Sequence, residues 1–363
     1  MLRRLPPSLT WLRALLILWL GALAGFAGGA EWIRRRPAPP PPSGGIDLTG
    51  AGATFPFPLY RRWFEAYAAS TGVRINYFSV GSTAGLTLML ADGVDFGASD
   101  RPLDARERVR AVCRPLEVPM AIGGVAVIVH LPGLRGPLHL DPEVLAEIHL
   151  GTLTRWDDAR LVALNPTATL PPLPIRPVHR GRASGSGTAT LLDAYLSRSA
   201  RWRESERPWA AGDSVEGNEG VAAQVQAVPG SVGFVEASYA DHPRLRVAAL
   251  RNRAGAFVRP DPAALAVAAE VGLRGADADT VRLLDDGADP RAYPVAGLTR
   301  LVAVGALRDA VRARHFLAFA RWALREGTPA AEALGFAPLP TAVQARLARR
   351  LDAVVPGRCE PRV

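Results

Sequence analysis

One local pattern, repeated three times, constrains this chain more than any other feature: a short run of Gly, Ser and Thr leads straight into an amphipathic helix. Residues 50–55 (Gly-Ala-Gly-Ala-Thr-Phe) run into a helical pattern over 56–69. Residues 81–85 (Gly-Ser-Thr-Ala-Gly) run into one over 86–91, and residues 184–188 (Ser-Gly-Ser-Gly-Thr) into one over 189–197. A helix start leaves backbone N–H groups unpaired and carries the positive end of the helix dipole. Glycine lets a ligand approach that backbone, and the hydroxyls add donors. Each run is a candidate anion site, and three of them converging would form a cage for a small oxyanion.

The rest of the chain alternates short apolar runs with helical patterns. Strands are expected at 46–48, 73–79, 94–98, 125–129, 175–179, 232–235 and 293–304, and further helices at 142–149, 221–228, 309–325 and 340–350. Such alternation means an α/β protein with mostly parallel sheets. With 363 residues there is enough chain for two lobes with substantial cores.

Charge narrows the function. The formal charge is +9, but six arginines against Glu31 put about half of it in the first 45 residues. The remainder is a mild value for a nucleic-acid binder. Every basic side chain is arginine and none is lysine, so a Walker-A lysine, a Schiff base and a lysine general base are excluded. Cys113 and Cys359, the two cysteines, stand in no C-x-x-C, and the six histidines are scattered, so no metal or dithiol-redox site is expected. If the chain is exported, Cys113 and Cys359 can form a disulfide; two unpaired thiols are the alternative.

Export is itself expected. Arg3, Arg4 and Arg13 precede an uncharged run over 14–30 containing Ala22-Leu23-Ala24, the pattern of a cleaved signal or an uncleaved anchor. Arg34, Arg35 and Arg36 on the exported side sit awkwardly with either. Residues 1–36 are therefore set aside as signal peptide or membrane anchor, and the Pro/Gly-rich residues 37–45 as a tether.

Two side chains sharpen the cage. Arg182 stands just before the third run, with a planar, permanently charged fork suited to phosphate oxygens. Asp95 and Asp100 frame a strand ending in Gly-Ala-Ser-Asp, which puts a carboxylate at the strand edge where α/β sheets bind ligands. A carboxylate beside an anion makes sense when the anion carries a proton, as hydrogen phosphate does at neutral pH and sulfate does not. Taken singly, each feature also has a plain structural reading: a strand-to-helix turn, a surface arginine, a capping aspartate.

Together the segments GAGATFPFPLYRRW, FSVGSTAGL, VDFGASDRPL, GTLTRWDD, GRASGSGTATLLDAYLS and GNEGVAAQVQAVPGSVGFVEASYA resemble the phosphate-binding protein family of the bacterial high-affinity phosphate (Pst) ABC transporter. The resemblance runs in order from about residue 46 to the last helices. It implies a type II periplasmic-binding-protein fold of two α/β lobes, 46–128 with 294–363 and 129–293, joined by two crossover strands with the ligand in the cleft. It further implies that Thr54, Phe55, Ser82, Asp100, Arg182, Ser186, Gly187 and Thr188 bind phosphate. The family's usual Asp two residues after the arginine is Ser184 here, which leaves Arg182 less tightly posed or lets Arg180 share its role.

The sequence thus reads as an exported, periplasmic phosphate-binding component of an ABC importer. The expected partners are inorganic phosphate and the inner-membrane permease with its ATPase. No cofactor, metal, nucleic acid or catalysis is expected, and the protein should be a monomer before docking. A membrane-anchored phosphate sensor of the same fold and, more distantly, a phosphate-ester enzyme are the alternatives; against the enzyme stand the lack of a metal cluster, of a G-x-S-x-G elbow and of a Ser/His/Asp triad pattern.

Overall fold

Residue 116 begins a fourteen-residue run that is buried along its whole length, and the architecture is organised around it. The structure is a computed structural model describing residues 47–180, 185–274, 286–358 and 360. The expected signal or anchor (1–36), the tether (37–45), Arg182, Ser184 and Cys359 lie outside the described residues. The described strands are β1 (Leu48–Gly52), β2 (Ile75–Ser79), β3 (Phe96–Ser99), β4 (Leu116–Val129), β5 (His139–Leu140) and β6 (Arg176–Arg180). They continue with β7 (Asp213–Val215), β8 (Ser231–Glu236), β9 (Arg246–Val247), β10 (Ala249–Arg251), β11 (Phe257–Val258) and β12 (Ala296–Ala303).

The main sheet has the order β2-β1-β3-β12-β4-β8-β6-β7, with β9 also on β4. β4 changes partner along its length. Its first part pairs with β12 up to Gly124, and its second part pairs with β8 from Val125 onward. One strand therefore runs through both ends of the sheet. β5, β10 and β11 form a small separate sheet.

Two expectations are corrected. The sheet is mixed, since β12 runs antiparallel to both β3 and β4, and β4 antiparallel to β8. A strand buried on both faces reads as a continuous apolar run whichever way its neighbours point, so sequence alone does not show this. In addition, the glycines of the first run belong to a strand. Gly50 and Gly52 lie in β1, in parallel register with β2 and β3. Their smallness serves packing: Gly85, in the helix Ser82–Leu90, lies so close to β1 that a Cβ there would fall 2.2 Å from the Gly52 Cα.

The helix Phe57–Thr71 follows from its pattern. Leu59, Tyr60, Trp63, Phe64 and Tyr67 make one buried stripe, and Gly72 ends the helix in the left-handed conformation. The Trp63 indole donates to the Gly327 carbonyl at 2.8 Å, which ties this helix to the chain's later helical layer. Asp95, one of the two framing carboxylates, also has a structural task. It accepts from the Thr49 amide at 2.8 Å and pairs with Arg312 of the helix Ala310–Glu326. Cys113 is buried and disulfide-bonded.

Candidate functional site

Three strand ends and three helix starts meet at one place. Thr54 follows β1 and Asp100 follows β3, both just past the carboxyl ends of parallel strands. Ser82 opens the helix Ser82–Leu90. From the other end of the sheet come Arg180, the last residue of β6, and Ser186, the N-cap of the helix Gly187–Leu196. Asn218 comes from the first turn of the helix Gly217–Ala227. Thr54, Ser82, Asp100, Arg180, Ser186, Thr188 and Asn218 are all buried.

Their contacts cross the cleft. Thr54 Oγ1 accepts from Asn218 Nδ2 at 2.7 Å, from the Asn218 amide at 3.3 Å and from Arg180 Nη1 at 3.4 Å. The Thr54 carbonyl accepts from the Tyr239 hydroxyl at 2.7 Å. Thr83 Oγ1 donates to the Gly185 carbonyl at 3.0 Å. Gly187 is pressed against the other side: a Cβ there would stand 2.5 Å from Asp100 Oδ2 and 2.6 Å from Ser82 Oγ. Any side chain at position 187 would push these groups apart.

Asp100 is the electrostatic centre. Its Oδ2 accepts from Ser82 Oγ at 3.3 Å, while its buried Oδ1 has no hydrogen-bond partner among the described residues. Burial pushes its pKa up to about 7, against the pull of the Thr299 and Ser82 hydroxyls and of the Arg300 and Arg180 charges. Around this acceptor the groups are donors. Ser186 Oγ already accepts the Ala189 amide at 3.2 Å, so its own hydrogen points elsewhere. The first amides of the helix at Gly187 and Thr188 have no carbonyl one turn back to receive them. The arrangement can hold a compact anion by many donors and one buried carboxyl group.

The sequence-expected residues fare differently. Thr54, Ser82, Asp100, Ser186, Gly187 and Thr188 are brought together. Phe55 is adjacent through its backbone, and its ring packs edge-on to Phe336 at 6.3 Å in the core. Arg182 lies outside the described residues. Arg180, named as the residue that can share its role, is buried beside Thr54 and reaches Glu216 at 3.8 Å. Asn218, Tyr239, Glu236 and Arg300 were missed. Arg300 had a signal, being a lone charge in the apolar run Gly-Leu-Thr-Arg-Leu-Val-Ala and fully buried in β12. Asn218 had only its place at the start of a helical pattern.

A cleft of about 140 Å³ opens beside the cluster, lined by Thr54, Ser79, Val80, Arg180, Glu216, Gly217 and Glu219. A larger groove of about 660 Å³, between Arg114, Leu116, Leu307 and Val354, shares none of these residues. A small oxyanion needs convergent donors rather than volume, so the smaller cleft is the candidate site. Among the described residues no cluster of His, Cys, Asp and Glu could hold a metal ion, and no helix is long and apolar enough to cross a membrane.

Comparison with known proteins places the chain. Residues 38–326 match the model of the PBP superfamily domain. The phosphate-binding protein PstS of Xylella fastidiosa is 36% identical over 302 residues, covering 81% of this chain and 82% of that protein. PstS of Pasteurella multocida is 37% identical over 304 residues, covering 82% and 87%. Among solved structures, a high-affinity periplasmic phosphate-binding protein (PfluDING) bound with phosphate superposes with a TM-score of 0.67 at 20% identity, covering 88% of this chain and all of that one. A phosphate-binding protein from Stenotrophomonas maltophilia gives a TM-score of 0.62 at 19% identity, covering 84% and 94%. These two structures speak to the fold, which is that of a periplasmic binding protein.

Proposed function

The chain belongs to the family of PstS phosphate-binding proteins, and from that premise we propose that it captures inorganic phosphate in the cleft and delivers it to an ABC importer. The observation that carries this reading is one buried carboxylate oxygen, Asp100 Oδ1, with no hydrogen-bond partner among the described residues, set among hydroxyl and helix-start donors. Phosphate oxygens without a proton take the Thr54, Ser186 and Thr188 hydroxyls, the Phe55 amide and the amides at Gly187 and Thr188. Ser82 braces Asp100 and faces the anion with it. Arg182 supplies the bidentate positive charge, with Arg180 behind Thr54 adding to the field.

The remaining oxygen carries the proton that Asp100 shares. With its pKa near neutrality, the carboxyl group and hydrogen phosphate hold one proton between them in a charge-assisted bond. Sulfate brings no proton, so wherever Asp100 is ionised it meets the carboxylate lone pair to lone pair in a place that water and salt screen poorly, and the discrimination grows as pH rises through the Asp100 pKa. Asp100 thereby acts against the wrong anion more than for the right one.

The two lobes of this reading are residues 46–128 with 294–363, and 129–293. No bond is made or broken on the ligand. The protein works as a monomer on the periplasmic side of the inner membrane, exported by residues 1–36, and docks on a permease driven by an ATPase. Calorimetry on ligand-free protein tests the reading: phosphate should bind at one per chain and sulfate should not compete. Saturation at a hundred times the dissociation constant should stabilise the fold by roughly 2.7 kcal/mol. A melting temperature unmoved by millimolar phosphate would sink it.

A further inference from the structure

A hydroxyl group can face an anion with its hydrogen or with a lone pair, and only the first attracts. What decides this for Thr54 and Thr188 begins on β8. The backbone N–H of Glu236 can only donate, and it donates to Asn218 Oδ1 at 2.8 Å. The oxygen end of the Asn218 amide is thereby assigned, so its Nδ2 end must face the other way. There it reaches Thr54 Oγ1 at 2.7 Å and Thr188 Oγ1 at 3.2 Å, one hydrogen for each. Thr54 Oγ1 also receives the Asn218 amide and Arg180 Nη1. Neither threonine hydroxyl donates to an acceptor among the described residues; with Thr54 Oγ1 accepting from three donors and Thr188 Oγ1 from Asn218, their hydrogens are left for the cleft. Asn218 is fully buried, so water does not relieve the constraint.

We infer that Asn218 is a positioning residue that fixes the Thr54 and Thr188 hydroxyls as donors toward the bound anion, relaying the polarity of the Glu236 backbone N–H across the cleft. It touches neither the anion nor a proton of it. It joins one threonine from each end of the sheet through a single amide, so closing the cleft and setting its donor sense are one event. The inference rests on the phosphate reading above.

A double-mutant cycle on the full-length protein separates this role from simple packing. The probe is inorganic phosphate, titrated calorimetrically into ligand-free protein, with the melting temperature recorded alongside. Asn218→Ala should weaken phosphate binding roughly 10- to 100-fold, the range for hydrogen bonds to a charged group. In the Thr54→Val, Thr188→Val background the same change should alter binding by no more than about twofold, because no hydroxyls remain to be turned. Asn218→Asp keeps the acceptor for Glu236 and the side-chain shape, so it reports even if the alanine variant folds poorly. It should weaken binding at least as much as the alanine change; the part of that penalty carried by the hydroxyls, roughly tenfold, should vanish in the double-valine background, leaving the repulsion of the added carboxylate. An undiminished penalty in that background, with a melting temperature lowered in step, would make Asn218 a packing residue and overturn the inference while leaving phosphate binding intact. Wild-type protein that gives no phosphate heat would instead overturn the phosphate reading, and this inference with it.

Discussion

Thr54 and Asp100 hang from the ends of β1 and β3, whose backs are packed with aromatic rings. Phe55 lies against Phe336, and Phe96 sits among Phe64, Tyr77 and Phe316 at centroid distances of 5.8–6.5 Å. Arg180, Ser186 and Asn218 belong to the opposite side, on one strand end and two helix starts. There the surroundings are polar and partly solvated, with Glu216 largely exposed and Glu219 at the cleft mouth. The first side holds the Asp100 carboxyl group in a buried, aromatic-backed frame, and the second offers donors and charge. An acceptor that discriminates against a wrong anion works best where no water stands beside it to turn a hydrogen toward the anion. Donors that merely attract tolerate adjustment, since several share the load.

The contrast would break most visibly at the arginines. The family register assigns Arg182 to the anion, whereas the buried guanidinium beside Thr54 is that of Arg180. Arg182→Ala should weaken phosphate binding by about 2–5 kcal/mol, and Arg180→Ala by less. Calorimetry on both variants checks this, and the opposite order would transfer the charge role to Arg180.

Next comes selectivity, the property assigned to the aromatic-backed side. Asp100→Asn replaces the repelling carboxylate with an amide that can donate to either anion. Phosphate-over-sulfate discrimination should shrink by about 1–3 kcal/mol, the desolvation penalty of a mismatched buried polar group, with a smaller loss of phosphate affinity. Acidification should mimic the substitution in the wild type. Below pH 7 Asp100 carries its own proton and can donate it to sulfate. Competition titrations at two pH values settle both; sulfate rejection unchanged in the variant would reduce Asp100 to a structural cap.

The same burial has a signature in stability. Asp100 titrates near 7 and Glu236 near 8 in the fold because both are desolvated, against ordinary values of 3.8 and 4.5. Between those limits the native state keeps protons that the unfolded chain has released. Stability of the ligand-free protein therefore falls as pH rises from about 4 toward 8, at up to about 1.4 kcal/mol per pH unit for each group. Denaturant melts across that range should show the slope, and Asp100→Asn or Glu236→Gln should each flatten it.

The smallest effect belongs to the seam between the two sides. Thr83→Val removes the hydroxyl that donates to the Gly185 carbonyl across the cleft. Phosphate binding should weaken by about 0.5–1.5 kcal/mol, measured by the same titration. No change would mean that this contact follows closure without contributing to it.

Much of this was legible in the chain itself. Helix starts announce themselves through small and hydroxyl residues followed by apolar stripes, and that local chemistry pointed to Ser82, Ser186 and Thr188, although the expected starts at 86 and 189 fall four and two residues after the observed ones at Ser82 and Gly187. The arginine in the apolar run of β12 carried a signal that was not used, a charge in a stretch that the fold buries. The roles of Gly50 and Gly52 were not. A glycine that frees a loop and a glycine that lets a helix lie on a strand look identical until the helix is in place.

By itself the sequence determined the α/β class, the residues able to donate to an anion, and the absence of lysine chemistry, because these follow from composition and short-range periodicity. Only the tertiary structure decided that the sheet is mixed, that β4 serves both of its ends, and that Asp100 is buried enough to titrate near neutrality. It alone brought Asn218 between two threonines lying 164 and 30 residues away in the chain. Desolvation and hydrogen-bond polarity depend on what stands across a cleft, and residues so far apart in sequence meet there only once the chain has folded.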